Sequence, residues 1–226
     1  MKASNSIRRS PVHDCLEDLN PVWAEIHRMK VPLRFKDAVN ETQLKTELSL
    51  CDLSCLPKVS VKGPESLAWL AQAGILLPES VYSYRSEHDG LVIRTDRQEV
   101  FLEDGPASHR VSEFERELTS HPLGVYLVRR QDASFLLTGA RSNAVLRETC
   151  GFDFSKPAKA VVMTRVAGVS CMVLPLQAEE TPAFRFWLDP SYGSYLWKAL
   201  LEIVHDQGGD AIGLGALYPS ISQATS

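Results

Sequence analysis

Five cysteines and six histidines supply the metal-ligating and nucleophilic side chains available to this 226-residue chain. Cys51 and Cys55 form a C-x3-C pair, but four-coordinate zinc needs further thiolates or imidazoles to complete its shell. They read as small buried hydrophobes. His13, His27, His88, His109, His121 and His205 are dispersed, without an H-E-x-x-H or H-x-E arrangement, and read as surface or capping residues. No G-x-S-x-G elbow positions a nucleophile, and no G-x-x-x-x-G-K loop cradles a phosphate. Gly213-x-Gly215 lacks a third glycine and is not expected to open a helix; with Gly208-Gly209 it reads as turn or close packing. For general acid or base work the candidates are Asp96, inside a presumed hairpin, and Glu103-Asp104 before Gly105-Pro106, all read as solvated turn formers. The aromatic run Phe184-Arg185-Phe186-Trp187, followed by Tyr192, Tyr195 and Trp197, could stack on a planar ligand, although core filling is the favoured reading.

The elements that must position these groups are legible in part. Residues 1–10 are polar and basic and read as a disordered arm. Leu16, Leu19, Val22, Trp23 and Ile26 have helix-compatible spacing, divided by Pro21, and Val31 to Phe35 reads as extended. Asn40 is a candidate N-cap. Lys58-Val59-Ser60-Val61-Lys62 alternates as a half-buried strand should, Gly63-Pro64 turns the chain, and Leu67, Leu70 and Ala71 form the stripe of a helix that Gly74 ends. A second copy runs Ser134 to Leu137, Thr138-Gly139, then Ala140 to Glu148 and Cys150-Gly151, with Gly139 standing 76 residues after Gly63. The repeat predicts two related halves, near 11–110 and 111–226. A hairpin joins Leu91–Arg94 to Glu99–Leu102, and Ser112 with Glu115 fits a capping box. Further strands are expected at 125–128, 160–163, 169–174 and 184–188, and a last helix from Tyr195 to His205 carries Leu196, Leu200, Ile203 and Val204 on one face. The fold class is α+β with mainly antiparallel sheets.

With 44% hydrophobic and 23% charged residues the chain is globular in composition, which excludes disordered, collagenous and coiled-coil classes. A net charge of −4 provides no basic excess for phosphate backbones or anionic lipid, so no nucleic acid and no membrane partner is expected. An odd, irregular set of cysteines points to a reducing compartment, and no stretch reaches the ~20 apolar residues of a membrane span. The N-terminal residues show no apolar signal segment, so a cytoplasmic location is expected.

Read in order, Leu50-Cys51-Asp52-Leu53-Ser54-Cys55-Leu56-Pro57-Lys58-Val59-Ser60-Val61-Lys62-Gly63-Pro64 resembles the "DVSHMGKIxVxGP" segment of aminomethyltransferases, the T-proteins of the glycine cleavage system. Ser10 to Asp14, Met29 to Phe35, Met163 to Val169 and Gly213 to Leu217 resemble further segments of that family in the same order, from Pro11 to Leu217. The resemblance implies a T-protein-like folate-binding fold spanning residues 11–226 and lacking the family's C-terminal barrel domain. Departures from the pattern carry functional weight. Where the family's hairpin holds an aspartate pair, this chain has Ile93 and Arg94, and Val169-Ser170-Cys171 stands where a folate-contacting glutamate is expected. A pterin edge that loses its carboxylate leaves donors unpaired at ~1–3 kcal/mol. The shortened pattern is similar to the gamma subunit of heterotetrameric sarcosine oxidase, and Asp189 to Trp197 resembles a "Y-x-x-Y-L-W" segment of such subunits.

The implied function is that of a non-catalytic subunit of a flavin-dependent, sarcosine oxidase-like complex acting on N-methyl amino acids in one-carbon metabolism. Its partners would be larger flavoprotein subunits that carry flavin and NAD; this chain would bind no cofactor of its own, tetrahydrofolate being possible. The alternatives are a small tetrahydrofolate-dependent aminomethyl or methyl transferase using Asp96, Arg94 and Arg165 in rearranged roles, and a stand-alone binding protein for folate or another planar ligand. Tyr84, Arg94, Asp96 and Arg165 are the positions nearest the family's ligand cleft; no catalytic and no metal-ligating residue is assigned.

Overall fold

The computed structural model describes residues 7–35, 40–87, 89–117, 122–155, 160–177 and 181–224. Strand β1 (Arg8–Arg9) pairs in parallel with the later β3 (Met29–Phe35), so this part of the expected arm is in a sheet. Helix α1 (His13–Glu17) is a single turn and a half. The helical spacing does not continue beyond it: Asn20 turns the chain at φ 54°, and Pro21, which has no N–H to give a helix, begins strand β2 (Pro21–Ile26) against β3. Helix α2 (Glu41–Glu47) opens as expected, the Asn40 side chain accepting from the Gln43 N–H at 3.2 Å.

Next come β4 (Ser49–Asp52), β5 (Lys58–Lys62), α3 (Ser66–Gln72), β6 (Tyr84–Glu87), β7 (Gly90–Asp96), β8 (Glu99–Glu103) and α4 (Arg110–Glu117). The order then repeats: β9 (Tyr126–Arg130), β10 (Ala133–Thr138), α5 (Ser142–Thr149), β11 (Val162–Val166), β12 (Val169–Gln177), β13 (Pro182–Leu188) and α6 (Gly193–Asp206). Strand β14 (Asp210–Ala211) and helices α7 (Leu214–Leu217) and α8 (Pro219–Ala224) complete the chain. The sheets are ordered β1-β3-β2, β11-β12-β13-β10-β4-β14 and β6-β7-β8-β5-β9.

The two strand-glycine-helix copies share one turn geometry. Gly63 and Gly139 have φ of 118° and 114°, and their N–H groups donate to Gln98 O at 3.0 Å and Pro182 O at 3.1 Å. Three residues on, Ser66 and Ser142 are fully buried, and each hydroxyl donates to that same carbonyl, at 3.0 and 3.3 Å. A chain leaving a strand and folding a helix back over the same sheet needs the positive φ, which favours glycine. The copies also exchange strands. Strand β4 begins the first repeat but pairs with β10 of the second, whereas β9 begins the second and pairs with β5 of the first.

Strand exchange explains why the compact units are discontinuous in sequence, where a single boundary near 110 was expected. One unit holds the chain up to Cys55, resumes at Ala133 and takes the residues from Met163 onward; the other takes Leu56–Asp132 and a short return ending at Val162. In the first unit Phe135 meets Trp197 edge to face at 5.4 Å, and Leu196, Leu200 and Val204 turn inward while Ile203 stays half-buried. In the second, Val59, Val61, Val92, Val100 and Leu102 pack under α3 and α4 through Leu70, Val111 and Phe114.

Four local readings are corrected. The capping box at Ser112 is displaced, because α4 starts earlier and Asp104 accepts from the Val111 N–H at 2.9 Å. Gly213 does open a helix, the short α7, and packs so closely that a Cβ would lie 2.3 Å from Leu33 O. His13 is buried rather than exposed, stacked on Trp23 at 4.8 Å between centroids. Strand β5 is buried on both faces, not one. His88 and His121 lie outside the described residues.

Candidate functional site

Alternation along β5 sends Val59 and Val61 toward the helices and Lys58 and Ser60 to the opposite face of the second unit's sheet. Cross-strand register then builds a row of charge. Lys58 stands opposite Glu103 of β8 on one side and Arg130 of β9 on the other. Lys58 and Glu103 are 5% and 4% exposed, their charged ends 3.8 Å apart, and the ammonium also donates to Leu56 O at 2.8 Å. Arg130 grips Asp132 through Nε and Nη2 at 2.9 and 2.7 Å, and its guanidinium lies 5.5 Å from the Phe101 ring centroid. The bond to Asp132 raises the Arg130 pKa against the opposing effect of burial.

Glu103 and Asp104 are therefore buried, not solvated: β8 is flanked by β7 and β5, and Asp104 caps α4. Of the expected cleft positions, Tyr84 stands opposite Ile93, which stands opposite Phe101, and so lies on the face that carries the charged row. Arg94 pairs with Val100 and shares the helix-covered side with Val92; its guanidinium donates to Glu79 O at 2.9 Å and Arg97 O at 3.2 Å. Asp96 is exposed and accepts from the Arg97 N–H at 2.5 Å, which shapes the hairpin turn. Arg165 is exposed on β11, in the first unit. Lys58, Ser60 and Arg130 were not singled out from sequence; the only signal was that the polar positions of a central strand carry a lysine and a small hydroxyl.

The first unit has its own buried polar residues. Asp52 accepts from Ser10 Oγ at 2.5 Å, Ser54 Oγ at 2.6 Å and the Ser54 N–H at 3.0 Å, while Ser54 Oγ accepts from the Ser134 N–H at 3.0 Å. Across β4, β10 and β13 the row reads Cys51, Leu136, Arg185, with Arg185 packed 5.6 Å from the Trp187 centroid. Cys51 and Cys55 are buried, as read from sequence, and burial holds the Cys51 thiol well above its ordinary pKa. Among the described residues no group of three or more His, Cys, Asp or Glu side chains could hold a metal ion.

Burial pushes the Cys171 pKa up to about 12 from 9.0. Above pH 9.0 the unfolded chain ionises this thiol first and binds fewer protons than the folded one, so stability falls as pH rises from 9.0 toward about 12. The expected slope from this group is about 1.4 kcal/mol per pH unit, absent in Cys171→Ala and read from urea midpoints across that range.

No family model matches the sequence. Among curated proteins the chain is 24% identical over 231 residues to the aminomethyltransferase of Bacillus cereus strain B4264, and 24% identical over 228 residues to that of Bacillus anthracis strain CDC 684 / NRRL 3495. Among solved structures it superposes on glycine cleavage system aminomethyltransferase T from Bartonella henselae with a TM-score of 0.70 at 15% identity, over 93% of this chain and 61% of that one. The fold is that of an aminomethyltransferase T-protein. The chain spans 62% of the length of the curated relatives, and the match covers 93% of this chain. The aminomethyltransferase fold is also shared with a chain of heterotetrameric sarcosine oxidase from Corynebacterium sp. U-96, at a TM-score of 0.63 and 14% identity; there the match covers 89% of this chain and 97% of the other. Among the described residues no helix is long and apolar enough to cross a membrane.

Proposed function

We propose that this chain is a non-catalytic, gamma-type subunit of a multi-subunit, flavin-dependent oxidase or dehydrogenase of the sarcosine oxidase kind, acting on N-methyl amino acids. The observation that carries the reading is the fate of the acidic side chains around the second unit's hairpin. Asp96 holds its own turn, Asp89 accepts from the Ala107 N–H at 3.3 Å, Asp104 caps α4 and Glu103 is matched to Lys58. A pterin presents amide and amino donors that need a buried acceptor, and each of these carboxylates is already engaged in structural work. These residues do not fit tetrahydrofolate. Near-complete coverage of a sarcosine oxidase chain supports the same reading. In such an assembly the flavin and NAD belong to larger partner subunits, and this chain contributes surface. Leu123, which is 95% exposed, Tyr126 and Val128 lie on and just before edge strand β9, and aromatic and aliphatic groups of this kind are what a partner would cover.

The second reading, a small tetrahydrofolate-dependent transferase, is favoured by the 24% identity to aminomethyltransferases and by the burial of Glu103. One pair of measurements separates the two. Tagged full-length chain, purified from its native host, is expected to bring with it a larger, flavin-absorbing subunit that oxidises sarcosine or another N-methyl amino acid, and the chain alone is expected to give no heat on calorimetric titration with tetrahydrofolate. Micromolar binding of tetrahydrofolate by the isolated chain, with no flavoprotein recovered, would establish the transferase reading instead.

A further inference from the structure

An edge strand presents a row of unpaired N–H and C=O groups that templates further pairing unless the edge is blunted. Most edges of this fold are blunted. Strands β1 and β14 are two residues long, and β6 has four residues with Arg85 exposed. Strand β2 opens on Pro21 and shifts register between Val22 and Trp23. Strand β11 is met on its outer side by a bridge from Cys150 to Val166. Strand β9 has none of these devices: its five residues, Tyr126 to Arg130, run without proline or glycine and pair with β5 in unbroken register. Its two arginines are each held by a carboxylate of their own, Arg129 by Glu115 at 2.8 Å and Arg130 by Asp132 at 2.7 Å.

Alternation of the ladder tells which groups of β9 point outward. The Gly63 N–H donates to Gln98 O, and Pro57 O accepts from the Asp104 N–H, so these two positions flanking β5 face β8. Lys58, Ser60 and Lys62, of the other parity, therefore face β9, and so bond the residues opposite them, Arg130, Val128 and Tyr126. Leu127 and Arg129 are left to turn their N–H and C=O groups away from the sheet, where no backbone bond meets them among the described residues. A second copy of β9 fits this edge. Two copies running antiparallel about a two-fold axis at Val128 set Leu127 against Arg129 of the second copy, and every outward N–H of this pair finds a carbonyl. All five residues are then paired. No like charges stand opposite one another, whereas an axis at Arg129 would set that side chain against itself. On the face of Val128, the exposed Tyr126 ring meets the Arg130 guanidinium of the second copy, and the exposed Val128 side chains meet each other.

We propose that β9 is a self-association edge: two copies of this chain join β9 to β9, antiparallel and centred on Val128, into one continuous sheet. The pairing goes beyond the subunit reading and does not rest on it, since it needs only this chain.

The test is sedimentation of the isolated full chain over a range of concentrations. A reversible dimer, twice the 25.1 kDa of one chain, is expected with a Kd at or below about 100 μM. Arg129→Pro removes an outward N–H and leaves the β5 ladder intact, so it should weaken the dimer at least about tenfold. Arg129→Ala, which keeps the N–H, should leave the dimer in place. Should Arg129→Pro fail to fold, charge at the axis gives a second measurement. Val128→Lys and Val128→Glu are each expected to be monomeric alone, and their equimolar mixture to dimerise again. A chain monomeric throughout, or a dimer that neither Arg129→Pro nor Val128→Lys weakens, overturns the proposal. A monomeric chain that still recovers a flavin-absorbing subunit from its native host overturns self-association and leaves the subunit reading standing. A dimer with the expected variant behaviour and no flavoprotein recovered supports self-association and counts against the subunit reading.

Discussion

Lys58→Met is expected to lower the unfolding free energy by about 3–5 kcal/mol, and the double replacement Lys58→Met with Glu103→Leu to recover most of that loss. The reason is the location of the charge. Lys58 and Glu103 sit opposite each other in a five-stranded sheet with their side chains almost wholly out of water. Removing the ammonium takes away the counter-charge that stands 3.8 Å from a carboxylate that does not reach solvent, whereas removing both charges replaces the pair with apolar contact of similar volume. Urea unfolding of the two variants reads the difference directly. A single variant within about 1 kcal/mol of the parent would show that Lys58 does not compensate Glu103. The outcome also bears on function, because a carboxylate neutralised by its own lysine is unavailable to a ligand.

Gly139→Ala is expected to cost at least about 3 kcal/mol, and Gly63→Ala a similar amount in the other unit. Both glycines combine positive φ with backbone in the way: a Cβ on Gly139 would lie 2.4 Å from the carbonyl carbon of Glu47, and one on Gly63 would lie 2.2 Å from Gly124 O. Neither obstacle can rotate aside as a side chain would. Gly74 provides the control, since its φ is 82° but nothing lies within 4 Å of the added atom. Gly74→Ala should therefore cost only the left-handed penalty of about 1–2 kcal/mol. If Gly139→Ala and Gly74→Ala shift the urea midpoint equally, the close backbone approach at Gly139 is refuted.

The two expectations differ in how far they could be read from the chain. Glycine at the end of an alternating strand and at the start of a helix is a local signal, so both copies of the motif, their spacing and their α+β class were legible. The buried pair was not. Lys58 and Glu103 are each ordinary in their own strands, and the sequence reading placed one on a solvated face and the other in a solvated turn. The same limit governs Arg94 and Asp96: resemblance put them near a cleft, but the hydrogen bonds of Arg94 to Glu79 O and Arg97 O, and of Asp96 to the Arg97 N–H, depend on how the β7–β8 turn closes. The helical spacing from Leu16 to Ile26 failed because apolar spacing cannot show that Asn20 adopts a left-handed φ just before a proline.

By itself the sequence determined what depends on a few consecutive residues: glycine turns with positive φ, the Asn40 cap, the long amphipathic α6, and a composition able to bury a core. Tertiary structure alone decided partnership. Backbone N–H and C=O groups are nearly identical at every position, so strand composition does not say that β4 must join β10 and β9 join β5; loop closure and the packing of helices over each sheet choose the neighbours. Once chosen, that register carries Glu103, Lys58 and Arg130 into a single row across three strands.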